Sequence, residues 1–182
     1  MKYIFGLLFW FSSTLAAYES AILSDEFAAY HLRVAVEAIE NEDVFNLLQE
    51  NIDNLKMCGS SNAAANELIN LIEEGYAIDA FSMAKLIDTL TYANASNNAM
   101  KVIIKAIEYK SPLSPEHLSS LIQTLGYANA SNNATAVLIA AINHGIPFGP
   151  KERILLAQLS TQANAKKNVE KIRKALHERA KS

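Results

Sequence analysis

Apolar residues recur along most of the chain with the spacing of one helix face. The pattern i, i+3, i+4, i+7, i+8 predicts amphipathic helices, each of which buries one side. Three such stripes follow one another 35 residues apart. They consist of Ala64, Leu68, Leu71 and Ile72; of Ala99, Val102, Ile103, Ala106 and Ile107; and of Ala134, Val137, Leu138, Ala141 and Ile142.

A second series of helices alternates with the first. Its apolar positions are Met83, Leu86, Ile87 and Leu90, then Leu118, Leu121, Ile122 and Leu125, and then Ile154, Leu155 and Leu156, where the register is broken. We expect these helices to begin at N-caps Asp79, Ser114 and Gly149, followed in two copies by a proline, Pro115 or Pro150. Glycines suited to a left-handed C-terminal cap, Gly75 and Gly145, end helices of the first series, and Ser61, Ser96 and Ser131 are predicted to cap their starts.

The connection between the two series contains a repeated sequence motif. Residues 92–99, Tyr-Ala-Asn-Ala-Ser-Asn-Asn-Ala, return unchanged at 127–134, 35 residues later, with a fainter Ala-Asn-Ala echo at 163–165. A fixed period of this length predicts stacked two-helix units. We therefore expect an all-α chain of about nine helices in antiparallel pairs, stacked as a short right-handed α-solenoid. Residues 18–57, with helices starting at Ser24 and near Asn41, are the atypical N-terminal part, and residues 58–182 carry the repeats.

The predicted last helix, from about Ala165 to Ala180, has a different outer face. Val169, Ile172 and Leu176 keep the inner stripe, but Arg173 and His177 stand where earlier copies have isoleucine or leucine. A polar outer face is typical of a capping helix, because no further unit covers it.

Residues 75–90, which end in Leu86-Ile87-Asp88-Thr89-Leu90, resemble the pentatricopeptide repeat, and the similarity extends over about 57–180. The period and the linkers agree with that family, although other two-helix repeats, including the tetratricopeptide kind, share the rest. The resemblance implies binding of single-stranded RNA, one base per repeat. The matching positions are Ala84, Ser119 and Ile154, with Asp79, Ser114 and Gly149. Only Ser119 with Ser114 offers polar groups at both, so RNA reading is not expected.

Residues 1–17 have the pattern of a secretory signal peptide: Lys2, an apolar run from Tyr3 to Phe11, and small residues that permit cleavage after Ala16 or Ala17. The segment is shorter than the ~20 residues that span a bilayer, so we expect cleavage rather than an anchor, and a secreted or periplasmic protein. The single cysteine, Cys58, forms no internal disulfide. We expect it to be a small buried residue; the alternatives are a reactive thiol or an intermolecular bridge.

Charge is distributed unevenly along the 182 residues, whose net charge is −3. Residues 18–80 contain 13 acidic and 2 basic residues, and residues 81–182 contain 6 acidic and 13 basic ones. The last helix carries Lys166, Lys167, Lys171, Arg173, Lys174 and Arg179. These cations either solubilise the end of the chain, or bind an acidic protein, an anionic membrane or nucleic acid, or join the acidic end of a second copy head to tail.

Catalytic chemistry is not indicated. His31, His117, His144 and His177 show no metal-ligand spacing, and neither a catalytic triad nor a phosphate loop appears. We therefore expect no enzyme, no metal and no cofactor. Asn94, Asn129 and Asn133 fit the N-glycosylation sequon, though turn chemistry also explains them. The leading hypothesis is an exported protein–protein interaction module that binds another protein on a concave face; the alternative is binding of nucleic acid or an anionic surface through the basic helix.

Overall fold

The computed structural model describes residues 42–181. The signal peptide, the helix predicted from Ser24 and His31 lie outside the described residues. The chain divides into two units, Met1–Asn46 and Leu47–Ser182. The first contributes only residues 42–46 to the described range, and the repeats belong to the second.

Residues 42–181 are all-helical, and this part of the chain contains no strand. It holds eight helices, against about nine predicted for the whole chain. Helix α1 covers residues 42–54. The others are α2 (Ser61–Glu73), α3 (Ala80–Thr89), α4 (Ser96–Glu108), α5 (Pro115–Thr124), α6 (Ser131–Asn143), α7 (Pro150–Leu159) and α8 (Ala163–Arg179). Within the described ranges, no helix is both long and apolar enough to cross a bilayer.

From α2 onward the helices form two rows. In one row α2 packs on α4, α4 on α6 and α6 on α8; in the other α3 packs on α5 and α5 on α7. The rows are joined by the pairs α3–α4, α5–α6 and α7–α8, whose members follow each other through a short bend. Apart from α3, each helix from α2 onward thus packs mainly on the helices two places along the chain, as expected when a two-helix unit repeats.

The core lies between the rows and consists of the predicted stripes. Every residue of the three first-series stripes is buried, as are all eight apolar residues predicted for α3 and α5. Burial of each leucine or isoleucine contributes roughly 1.5–3 kcal/mol. In α7 only Leu156 of the predicted three is buried, and Ile154 is 58% exposed. Because α7 is the last helix of its row, no further helix of the described residues covers that side.

The predicted caps of the second series are confirmed. The Asp79 carboxylate accepts hydrogen bonds from the backbone N–H groups of Phe81 at 2.8 Å and Ser82 at 3.0 Å. Ser114 and His117 form a reciprocal capping box, with N–H to Oγ at 3.3 Å and N–H to Nδ1 at 3.2 Å. Gly149 is the N-cap of α7 and contributes no side-chain bond.

The left-handed caps are confirmed as well. Gly75 has φ +102° and Gly145 has φ +79°. The equivalent position after α4 is Lys110, a residue with a Cβ, at φ +63°. At all three ends the next residue's N–H bonds back to the last turn of the helix, as in a Schellman motif.

Two predictions were wrong. The N-caps of α2, α4 and α6 are Ser60, Ala95 and Ala130, none of which makes a side-chain cap bond. The predicted caps, Ser61, Ser96 and Ser131, are instead the first helical residues. The bend itself displaces them: the Ser96 N–H already donates to the Tyr92 carbonyl at 2.8 Å, so a helical turn begins before the serine.

Cys58 is the second error, because this residue is exposed rather than buried. It lies in the turn between α1 and α2, next to Gly59, where the backbone has φ +92°. A turn at the surface, rather than the core, receives its side chain.

Candidate functional site

The repeated motif, residues 92–99 and 127–134, contributes to a ladder of side-chain hydrogen bonds along the row α2–α4–α6–α8. In each rung one asparagine amide donates to two acceptors on the preceding helix of the row, a serine hydroxyl and an asparagine carbonyl. Asn98 bonds Ser61 at 2.9 Å and Asn62 at 2.8 Å, Asn133 bonds Ser96 at 2.8 Å and Asn97 at 2.9 Å, and Asn168 bonds Ser131 at 2.8 Å and Asn132 at 3.2 Å. The repeated motif is therefore a structural element that sets the register between units.

A second set of asparagines ties successive bends together. The Asn94 amide donates to the Lys56 carbonyl at 2.9 Å, and the Asn129 amide to the Thr91 carbonyl at 2.6 Å. Both side chains are exposed. Of the three candidate sequon residues, only Asn133 lies within a helix and is half-buried.

The ladder stops at both ends for a reason visible in the sequence. Ala63 stands in α2 where later units have the donor asparagine, and Lys166 and Lys167 stand in α8 where earlier units have the accepting serine and asparagine. Two ammonium groups cannot accept hydrogen bonds. These two lysines therefore end the series of rungs.

One edge of the repeats exposes a row of large apolar side chains at the bends. Met57, Tyr92 and Tyr127 are spaced by 35 residues and are 61%, 44% and 56% exposed. The Lys56 ammonium lies 4.7 Å from the centre of the Tyr92 ring, within cation–π range. We call this row of two tyrosines and one methionine the aromatic edge.

A shallow groove of about 230 Å³ adjoins the aromatic edge between α3 and α5. Its lining is mixed, and the polar groups are small or singly charged. The lining residues are Ala84, Ile87, Asp88, Thr91, Ser120, Gln123, Thr124 and Tyr127. The groove offers apolar contact and scattered hydrogen-bonding groups.

The positions that correspond to RNA-reading residues lack the chemistry for it. Ala84 and Ile154 are exposed but apolar, whereas Ser119 is buried and its hydroxyl donates to the Glu152 carboxylate at 3.2 Å. Ser119, the one polar residue among these three helix positions, is therefore committed to a neighbouring helix. None of these three residues presents a polar group to a base edge.

The six basic residues singled out on α8 are all exposed. Lys174 lies 3.8 Å from Glu178, and the Lys171 ammonium donates to the Asn168 carbonyl oxygen at 3.3 Å. The structure does not gather all six: Arg173 lines a groove between α7 and α8, which the other five do not. That groove, of about 310 Å³, is lined by Arg153, Leu156, Arg173, Leu176, His177 and Ala180.

The groove between α7 and α8 was not predicted from the sequence, although the 35-residue period contains the signal. Arg153 stands in α7 where α3 has Met83 and α5 has Leu118, two buried core residues. Arg153 is exposed, because no further helix of the described residues covers this position.

Titratable groups do not converge on a reaction centre in the described residues. No cluster of three or more metal-ligating side chains occurs there. The His117 ring accepts at Nδ1 in the capping box, so Nε2 donates to the Ala80 carbonyl at 2.9 Å. His144 contacts the Ala140 carbonyl at 3.0 Å, one turn earlier in its own helix.

The resolved pKa shifts likewise arise from structural contacts. A hydrogen bond to Glu73, at 2.7 Å, raises the pKa of Lys105. Bonds from its own backbone N–H and from the Ser114 side chain lower the pKa of Glu116 in the first turn of α5. Both groups are surface residues at helix ends, where such contacts are common.

Comparison with known proteins gives no family for this chain. No family model, no curated protein and no solved structure matches it.

Proposed function

We propose that this protein is an exported, non-enzymatic helical-repeat module that binds another protein, and that its helix pairs run antiparallel in a short right-handed α-solenoid. The two rows of helices, linked only between near neighbours, support the solenoid. The segment at residues 1–17, with Lys2 followed by an apolar run, supports export to the periplasm or the extracellular space.

The aromatic edge carries the binding proposal. Three large apolar side chains remain in water at successive bends although the chain buries all of its first-series stripes elsewhere. Tyrosine is enriched among the residues that dominate protein–protein interfaces, because its ring gives a large contact area and its hydroxyl a hydrogen bond. The adjoining groove between α3 and α5 extends the contact surface across two units.

The test is affinity capture from the organism's secreted or periplasmic fraction at near-physiological salt. We expect the wild type to recover a specific protein and the double variant Tyr92→Ser/Tyr127→Ser to lose it. Tyr109→Ser is the matched control, because Tyr109 is 49% exposed but lies at the C-terminal end of α4, away from the bends. Equal capture by wild type and double variant, or no specific capture, would contradict the proposal.

The alternative function is binding of nucleic acid or an anionic membrane surface through α8. Its support is the exposure of Lys166, Lys167, Lys171, Arg173, Lys174 and Arg179 along one helix. In the described part of α8 no aromatic residue interleaves them, so contacts would be to phosphates rather than to stacked bases. This function predicts retention on a polyanion resin with a steep dependence on salt; elution at low salt would exclude it.

A further inference from the structure

The groove between α7 and α8 occupies the place where another repeat unit would pack. In the preceding units the same surface is covered by the next helices: α5 and α7 cover α3 and α5, and α6 and α8 cover α4 and α6. The shape that fits there is consequently an α-helix.

The groove differs from the earlier surfaces in charge. Its floor is apolar, with Leu156 buried and Leu176 half-buried. Its sides carry Arg153, Arg173 and His177, each at a position that is an apolar core residue in earlier units. Arg153 uses Nε to bond the Phe148 carbonyl at 3.3 Å, and no salt bridge joins Arg153 or Arg173 to a carboxylate of the described residues. A helix with an apolar stripe and an acidic flank is the complementary partner.

The chain itself contains such a segment. Residues 18–40 hold five acidic residues and one basic residue, and a helix from Ser24, as the sequence predicts, would have Phe27, His31, Val34, Ala35, Ala38 and Ile39 on one face. In such a helix Glu26 and Glu37, three turns apart, would share one flank of that stripe, with Arg33 as the one cation beside them. We propose that the groove between α7 and α8 binds residues 18–40 of a second copy of this chain, which gives a head-to-tail contact.

A second copy fits better than the same chain for reasons of distance. Residues 47–54 of α1 contact α3, since Gln49 donates to the Ser82 hydroxyl at 2.7 Å and Lys85 lies 3.3 Å from Asp53, and α3 and α7 are the two ends of their row. Three helix-to-helix steps of 8–10 Å, from α1 to α3, α3 to α5 and α5 to α7, separate α1 from the groove, roughly 24–30 Å in all. A segment of the same chain would have to cross this distance before reaching the groove, whereas a second copy would not.

The surfaces that meet are different, so the contact either closes as a dimer by reciprocal exchange of the segments or continues as rings or open chains. Lys166 and Lys167 prevent the asparagine ladder from continuing across it. Its specificity therefore lies in the groove and in charge, and the association weakens as salt increases.

Sedimentation velocity on the full-length protein, expressed through a secretory host that processes the leader, tests this. We expect the average mass of the wild type to rise above the monomer between low and high micromolar concentration. Arg153→Glu/Arg173→Glu in the groove and Glu26→Lys/Glu37→Lys in the segment should each abolish the rise. Lys101→Glu/Lys151→Glu makes the same change of charge at exposed sites outside the groove, and should leave it intact.

Mixing provides the decisive result. The groove variant retains the natural segment and the segment variant retains the natural groove, so an equal mixture should associate although neither does alone. A wild type that stays monomeric, association that survives the groove variant, or a mixture that stays monomeric would each overturn the proposal. The aromatic-edge variant Tyr92→Ser/Tyr127→Ser should still associate, which separates this contact from the proposed function.

Discussion

The side-chain amide of Asn133 donates a hydrogen bond to the hydroxyl of Ser96 at 2.8 Å, across 37 residues of sequence. The same amide nitrogen also donates to the side-chain oxygen of Asn97, Oδ1, at 2.9 Å. Ser96 is 2% exposed, so water cannot readily replace the amide. Each copy of the motif supplies acceptors to the next unit and a donor to the previous one. This pairing explains why the motif is repeated.

Replacement of Asn133 by alanine should destabilise the protein by about 1–3 kcal/mol, because two acceptors lose their donor and one of them is buried. The measurement is urea unfolding, with the midpoint shifted and the slope unchanged. Asn143→Ala, at the exposed end of the same helix, makes the same chemical change and should stay within about 0.5 kcal/mol of wild type.

A double-mutant cycle between Asn133→Ala and Ser96→Ala isolates the rung. We expect a coupling energy on the order of 0.5–1.5 kcal/mol, since the two side chains touch directly. If Asn133→Ala proves as mild as Asn143→Ala, the ladder does not contribute to stability and the repetition needs another explanation.

Glycosylation should distinguish the three sequons. An asparagine amide has two protons, and attachment of a glycan removes one. Asn133 uses both protons in its rung, whereas Asn94 and Asn129 each donate one bond within the described structure and are exposed. In material secreted from a eukaryotic host and shown to be folded, we expect no glycan at Asn133 and permitted occupancy at Asn94 and Asn129. Peptide mass spectrometry after enzymatic deglycosylation reads each site, and folded protein modified at Asn133 would contradict the expectation.

The repeated stripes could be predicted because burial imposes a period on the sequence itself. Ala99, Val102 and Ile103, for example, have the spacing of one helix face, and all three are fully buried. Caps such as Asp79 are also local, because the acceptor and the N–H groups it binds lie within three residues.

The role of the repeated motif could not be predicted in the same way. Ser96 looks like a cap locally, but its actual partner is Asn133 on another helix, and that pairing depends on how two units superimpose. The third rung was missed because Asn168 lies beyond the echo at 163–165, in a stretch where two lysines replace the serine and the first asparagine. The groove was missed for a related reason: Arg153 becomes informative only when α7 is compared with α3 and α5.

Lys110 should be a site of strain that glycine relieves. It holds φ +63° at the position where Gly75 and Gly145 end the equivalent helices. A left-handed conformation costs a residue with a Cβ roughly 1–2 kcal/mol, and the greater freedom of glycine in the unfolded chain offsets about 0.4–1 kcal/mol. We expect Lys110→Gly to raise the free energy of unfolding by about 0.5–1 kcal/mol.

The reverse change is the control for Lys110→Gly. A Cβ added at Gly75 would meet nothing within 4 Å, so Gly75→Ala carries a conformational cost without a clash. Thermal or urea unfolding should show opposite shifts for the two variants. A Lys110→Gly variant less stable than wild type would show that the lysine side chain contributes more than its backbone costs.

Asp79 should make stability depend on acid. Partial burial raises the pKa of its carboxyl, but hydrogen bonds from the Ser82 hydroxyl and from the Ser82 and Phe81 N–H groups outweigh burial and bring the pKa below its ordinary value. A lowered folded-state pKa means that the contribution is complete above the unfolded value of about 3.9 and is lost as the pH falls through the lower folded value.

Two substitutions separate charge from capping at this helix start. An asparagine side chain in place of Asp79 would still accept the cap bonds, so the wild type should exceed Asp79→Asn in unfolding free energy near neutral pH, with the difference shrinking below about pH 4. Asp79→Ala removes the cap as well and should cost about 1 kcal/mol more. Urea unfolding of the three proteins over this range of pH gives both quantities. A difference between wild type and Asp79→Asn that stays constant, or grows, in acid would show that the hydrogen bonds do not favour the charged carboxylate.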